Sequence, residues 1–110
     1  MRPIKFRAWH IEFKKYTKPD YITCDGRCYD GNLYNEYDID ENYILEQFTG
    51  IYDKKGKEIY EGDSIICGTI CFYKGSFGVL TEEKRFIPLI SMKEDEFEIV
   101  GNIHFEELMK

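Results

Sequence analysis

Ile4, Phe6 and Ala8 alternate with Lys5 and Arg7, a two-residue period that predicts a half-buried strand over 4–9. The polar stretch 14–20, which contains Pro19, is expected to turn the chain, and 21–23 to pair back as a short strand. Residues 24–42 are rich in Asp, Asn, Gly and Tyr without a sustained period, and read as short strands or irregular loop. Asp40 suits the cap of a helical turn over 41–46, while Tyr43, Ile44, Leu45 and Phe48 fit a strand ending at Gly50; the pattern leaves both open.

The second half is more regular. Residues 53–58 form a tight polar turn in which Gly56 supplies a positive φ. After Ile59 and Tyr60, the run 64–72 reads as one strand that Gly68 bulges. Lys74, Gly75 and Ser76 signal a hairpin into a strand over 77–80, followed by a turn at 81–84. The apolar pattern resumes over 85–90, where Pro88 limits central pairing. A last strand is expected over 97–103 and a terminal helical turn over 105–109. Short strands spaced this closely predict a small barrel or sandwich.

Composition supports the β reading. Nine Tyr, eight Phe and one Trp make the chain 16% aromatic, and alanine occurs only at Ala8. The length of 110 residues suits a single domain, divided as an N-terminal part over 1–50 and a barrel-like part over 51–110. No apolar run approaches the ~18–20 residues of a membrane span, and the first five residues lack the apolar stretch of a leader. The expected setting is therefore the cytoplasm, without membrane partners.

Charge is uneven along the chain. Residues 1–20 carry +4, 21–63 carry −7 and 64–110 carry −3, within a net −6. An acidic chain lacks the usual footprint of a nucleic-acid binder. The basic opening segment either neutralises the acidic middle or forms a local patch from Lys5, Arg7, Lys14, Lys15 and Lys18.

Two stretches carry a family resemblance. The opening Met1-Arg2-Pro3-Ile4-Lys5-Phe6-Arg7-Ala8-Trp9, and above all the run Gln47-Phe48-Thr49-Gly50-Ile51-Tyr52-Asp53-Lys54-Lys55-Gly56-Lys57-Glu58-Ile59-Tyr60-Glu61-Gly62-Asp63, resemble the YopX family of small phage and prophage proteins. Gly68-Thr69-Ile70 with Phe77-Gly78 is similar to the family's next hairpin, and Ile99-Val100-Gly101-Asn102-Ile103 to its closing strand. The resemblance covers nearly the whole chain apart from 10–42. It implies a mostly β fold with a barrel-like, SH3-like C-terminal half and a phage or prophage origin, and it implies no reaction. The long hallmark also has a plain scaffold reading. Gly50 and Gly56 permit turns, Ile59 and Tyr60 anchor the chain to a core, and Gly62-Asp63 turns it into the strand at Ser64. The alternative is a ligand or partner site in the same loop.

Candidate chemistry is sparse. Cys24/Cys28 and Cys67/Cys71 form two C-x3-C pairs, whereas structural zinc sites ordinarily use C-x2-C. On a regular strand Cys67 and Cys71 stand ~13 Å apart, too far for one metal. Free thiols are expected, with no metal, no disulfide and no cofactor. Asp38, Asp40 and Asn42 echo a calcium loop, but Tyr43 stands where glycine is needed and Thr49 where a bidentate Glu is needed. Glu94-Asp95-Glu96 and Glu106-Glu107 read as solvated faces. No P-loop, G-x-S-x-G or H-E-x-x-H occurs, and His10 and His104 lie at opposite ends of the sequence.

The expectation is thus a non-enzymatic, β-rich α+β accessory protein acting through protein contacts and self-association, with a phage or host protein as partner. Tyr29, Tyr34, Tyr37 and Tyr43 form the candidate contact surface, since tyrosine is favoured at interfaces and their acidic setting opposes phosphate. Nucleic-acid binding through the basic opening segment is the alternative.

Overall fold

A computed structural model describes residues 3–19, 21–22, 28–29 and 43–108. It is mostly β, with a curled half-barrel sheet and one short C-terminal helical turn, as the sequence pattern and the family resemblance predict. The chain divides into two compact units, one within Ile4–Gln47 and the other within Phe48–Lys110.

In the first unit, β1 (Phe6–His10) pairs antiparallel with β2 (Lys15–Thr17) and with the start of β5 (Tyr43–Tyr52). The register sets Trp9 opposite Tyr16 and Ile44, and His10 opposite Lys15 and Tyr43. Because strand side chains alternate, Arg7, Trp9, Tyr16 and Glu46 share one face while Ala8, His10 and Tyr43 share the other. Ala8 and Trp9 are buried, and the Trp9 and Tyr16 rings meet edge-on at 4.9 Å. The stretch 14–20 is therefore not simply a turn: Ile11–Lys14 turns the chain and Lys15–Thr17 is a strand. A further short pair joins β3 (Tyr21–Ile22) to β4 (Cys28–Tyr29).

The second unit begins inside β5, which continues past the expected stop at Gly50. That glycine, at φ 89, sits in an irregular stretch where pairing with β6 (Glu58–Tyr60) resumes at Tyr52. A five-stranded sheet follows in the order β10-β9-β8-β7-β11: β7 is Asp63–Ile65, β8 Gly68–Tyr73, β9 Ser76–Leu80, β10 Phe86–Pro88 and β11 Gly101–Asn102. The run 64–72 is two strands rather than one bulged strand. Ile66 and Cys67 make a hairpin turn there, with Ile65 opposite Gly68. Pro88 lies on the sheet's edge strand, where its missing N–H is harmless.

Of the expected last strand only Gly101–Asn102 forms a ladder. Before it, Lys54 N–H of the hallmark turn donates to Phe97 O (2.9 Å), and Val100 N–H makes a single bond to Ser64 O of β7 (2.8 Å). The helix α1 spans Ile103–Leu108. Ile59, Ile65, Ile70, Val79, Leu89 and Phe97 form this unit's core, each side chain contributing about 1.5–3 kcal/mol on full burial.

Candidate functional site

The hallmark loop is organised by one carboxylate. Asp53 Oδ1 accepts the N–H groups of Lys55 (2.9 Å) and Lys57 (2.8 Å), and Oδ2 accepts Ile99 N–H (3.2 Å). Asp53 N–H donates to Lys57 O and Gly56 N–H to Asp53 O, so the 53–57 turn closes on itself with Gly56 at φ 84. Burial pushes the Asp53 pKa up, but the backbone bonds from Lys57, Ile99 and Lys55 outweigh it and hold it below the ordinary 3.8.

A second buried carboxylate ends the hallmark. Asp63 Oδ2 accepts Tyr60 N–H (2.8 Å), and Oδ1 accepts the Asn102 amide (3.2 Å). Asn102 Oδ1 in turn accepts His104 N–H at 2.8 Å, which caps the start of α1. Asp63, Asn102 and His104 are all buried. These groups hold backbone in place.

Beside the loop lies an open depression of about 610 Å³, lined by Gly50, Ile51, Tyr52, Asp53, Lys54 and Asp95. A smaller one of about 260 Å³ shares Lys54 and Asp95 and adds Ile66, Cys67, Glu96 and Glu98. Lys54 and Lys55 pair with Glu98 at 3.0 and 3.2 Å, and their bonds hold the Glu98 carboxyl below its usual range. Two of the loop's three lysines thus share one carboxylate.

The clearest exposed apolar group sits on the face of β8, β9 and β10 opposite the core. Tyr73 and Phe86 rings lie 5.3 Å apart, and Phe86 pairs across from Leu80. Tyr73 and Leu80 are exposed. Gly78 makes this possible, since a Cβ there would fall 2.3 Å from the Phe86 ring. In the sequence Phe77-Gly78 reads as a strand and as part of the family's hairpin, and a glycine within a strand is the signal of such a close approach.

Of the tyrosines singled out, Tyr43 opens β5 half-buried with its ring edge-on to His10 at 4.6 Å, and Tyr29 lies in β4. Tyr34 and Tyr37 fall outside the described residues, as do the Asp38–Asn42 acidic segment and Cys24. Among the basic residues, Arg7 is occupied: its Nε donates to Glu46 at 2.8 Å and its guanidinium lies 4.2 Å from the Tyr16 ring. Arg7 and Lys15 project from opposite faces, so the five cations do not form one patch. Lys5, Lys14, Lys15 and Lys18 are exposed.

Cys67 is in the hairpin turn and exposed, and Cys71 is half-buried on β8; both are free thiols. Burial, and secondarily Glu61, push the Cys71 pKa up. Among the described residues no three His, Cys, Asp or Glu side chains converge to hold a metal ion. No helix among them is long and apolar enough to cross a membrane.

Comparison with known proteins agrees with this architecture. The fold is similar to the crystal structure of protein EF1440 from Enterococcus faecalis, with a TM-score of 0.67 and 24% identity over 100% of both chains. That likeness concerns the fold. No curated protein matches the chain. The family model for the YopX protein matches residues 5–110, including the 10–42 stretch that the hallmark resemblance did not reach. With its hallmark loop pinned by Asp53 and Asp63 and the match running almost end to end, this chain belongs to the YopX family.

Proposed function

We propose that this protein is a non-enzymatic accessory protein of a phage or prophage, working by protein contact in the host cytoplasm and associating with a second copy of itself. The observation that carries this reading is the apolar group Tyr73, Leu80 and Phe86 on the sheet face opposite the core. Aromatic residues held on a rigid sheet at the surface suit the centre of a contact. The buried carboxylates Asp53 and Asp63 support the non-catalytic part, because their oxygens are engaged by backbone N–H groups and the Asn102 amide.

Light scattering across a concentration series is the test. Self-association is expected, and Leu80→Glu, which puts a charge on that face, is expected to shift the protein towards monomer. A strict monomer at every concentration, with no protein retained in affinity capture from the host, overturns the reading.

A further inference from the structure

We propose that the β1–β2 turn binds single-stranded nucleic acid, stacking one base on Phe13 and holding phosphates with Lys14 and Lys15. Phe13 is 66% exposed in the turn Ile11–Lys14, which closes through Lys14 N–H donating to His10 O at 2.8 Å with Lys14 at φ 54. An exposed phenylalanine ordinarily samples several rotamers. Here a single group holds both its backbone and its ring. Its N–H donates to His10 Nδ1 at 2.9 Å, and its ring stacks on the same imidazole at 4.4 Å and 24°. His10 is itself buried, with the Tyr43 ring edge-on against it. The ring is therefore held in place towards solvent, and a ligand stacking on it orders little that is not already ordered.

The charges around the ring fit a polyanion. Residues 11–19 contain Lys14, Lys15 and Lys18 against the single carboxylate of Glu12. None of the three lysines makes an ion pair among the described residues. Lys15 Nζ stands 5.7 Å from the Phe13 centroid, near the ~6 Å limit of cation–aromatic attraction, and is readily transferred to a phosphate. Screening over ~8 Å at physiological salt lets this local excess, rather than the net −6, govern a ligand at the turn. A membrane surface is the weaker match. Lipid insertion draws on a broad apolar face, whereas one fixed ring among lysines is the combination that takes single strands regardless of sequence. The turn and the Tyr73–Leu80–Phe86 group belong to different units and share no residue, so the two proposals are tested independently.

The test is fluorescence anisotropy of labelled oligothymidylate and oligouridylate with the full chain, at about 20 and about 200 mM salt. Binding is expected at low salt. Two phosphate contacts predict a loss of about twenty-fivefold across that range. Phe13→Ala is expected to weaken binding about fivefold to a hundredfold, while Phe13→Tyr binds like the parent. Lys14→Gln with Lys15→Gln is expected to flatten the salt dependence. Circular dichroism checks that each variant is folded. The proposal is overturned if neither oligonucleotide binds at low salt or if Phe13→Ala binds unchanged. It is equally overturned if the Phe13-dependent ligand proves to be phosphatidylglycerol vesicles and not the oligonucleotides.

Discussion

Asn102 donates its amide to Asp63 Oδ1 at 3.2 Å while its own oxygen accepts His104 N–H at 2.8 Å, so one side chain joins the end of the hallmark to the start of α1. Asn102→Ala removes the helix cap and one partner of a buried carboxylate together. A loss of roughly 1–3 kcal/mol is expected in urea unfolding, without loss of the β signal in circular dichroism.

Asp53 predicts a stability that depends on acid. Its folded pKa lies below its unfolded value near 3.8, so its contribution is complete above that value and is lost as pH falls through the lower folded one. Unfolding followed from pH 6 down to pH 2 (about the carboxylate range) should therefore show a decline that Asp53→Asn flattens. Asp53→Ala, which leaves the N–H groups of Lys55, Lys57 and Ile99 without this acceptor, should cost about 2 kcal/mol or more at neutral pH.

Gly78 tests the packing beneath Phe86. A Cβ at this position meets the ring at 2.3 Å and Ile87 O at 2.7 Å. Gly78→Ala should destabilise by about 1–3 kcal/mol, and Phe86→Ala in the same chain should recover only part of it, because the carbonyl contact remains. A double-mutant cycle in thermal unfolding reads the coupling directly.

Glu46 is buried and accepts both Arg7 Nε and the Tyr16 hydroxyl at 2.8 Å. Arg7→Ala leaves that carboxylate short of its countercharge, for which about 3 kcal/mol of destabilisation is expected. Arg7→Met with Glu46→Leu should be milder than Arg7→Ala alone, since no buried charge remains; equal or greater loss would show that the pair contributes net stability.

The two described thiols should react unequally. Cys67 is exposed in its turn, while Cys71 is half-buried with a raised pKa and so holds less thiolate at neutral pH. Maleimide labelling mapped by peptide mass should modify Cys67 first, and raising the pH should speed the Cys71 reaction.

Local turn chemistry made much of this fold legible. Gly56 in its polar turn, the Lys74-Gly75 hairpin and the edge position of Pro88 each follow from the conformational limits of one or two residues. Where the pattern misled, the deciding partner was distant or the turn lacked turn residues. Ile66 and Cys67 give no signal of a reversal, so 64–72 looks continuous. Lys15–Thr17 becomes a strand because Tyr16 reaches Trp9 and Glu46. Residues 97–100 alternate like a strand, yet Ile99 gives its N–H to Asp53, 46 positions earlier. The hallmark carboxylates were visible as residues, and their bonds to Lys55, Lys57 and Tyr60 are local; their bonds to Ile99 and Asn102 were not legible, because no local rule links positions so far apart. Phe13 was hidden for a related reason, since its role depends on the imidazole of His10 beneath it.

The bonds of Lys54 to Phe97, Asp53 to Ile99, Ser64 to Val100, Asp63 to Asn102 and Gly62 to Ile103 set an order of assembly. Synthesis proceeds from the N-terminus at about 5–20 residues per second, so the 53–63 segment emerges seconds before the segment that completes it. During that interval Asp53 and Asp63 wait with part of their coordination supplied by water. Closure of the C-terminal unit is therefore a late event in folding, and a chain that has not yet freed Phe97–Ile103 from the ribosome should stay open and prone to aggregation.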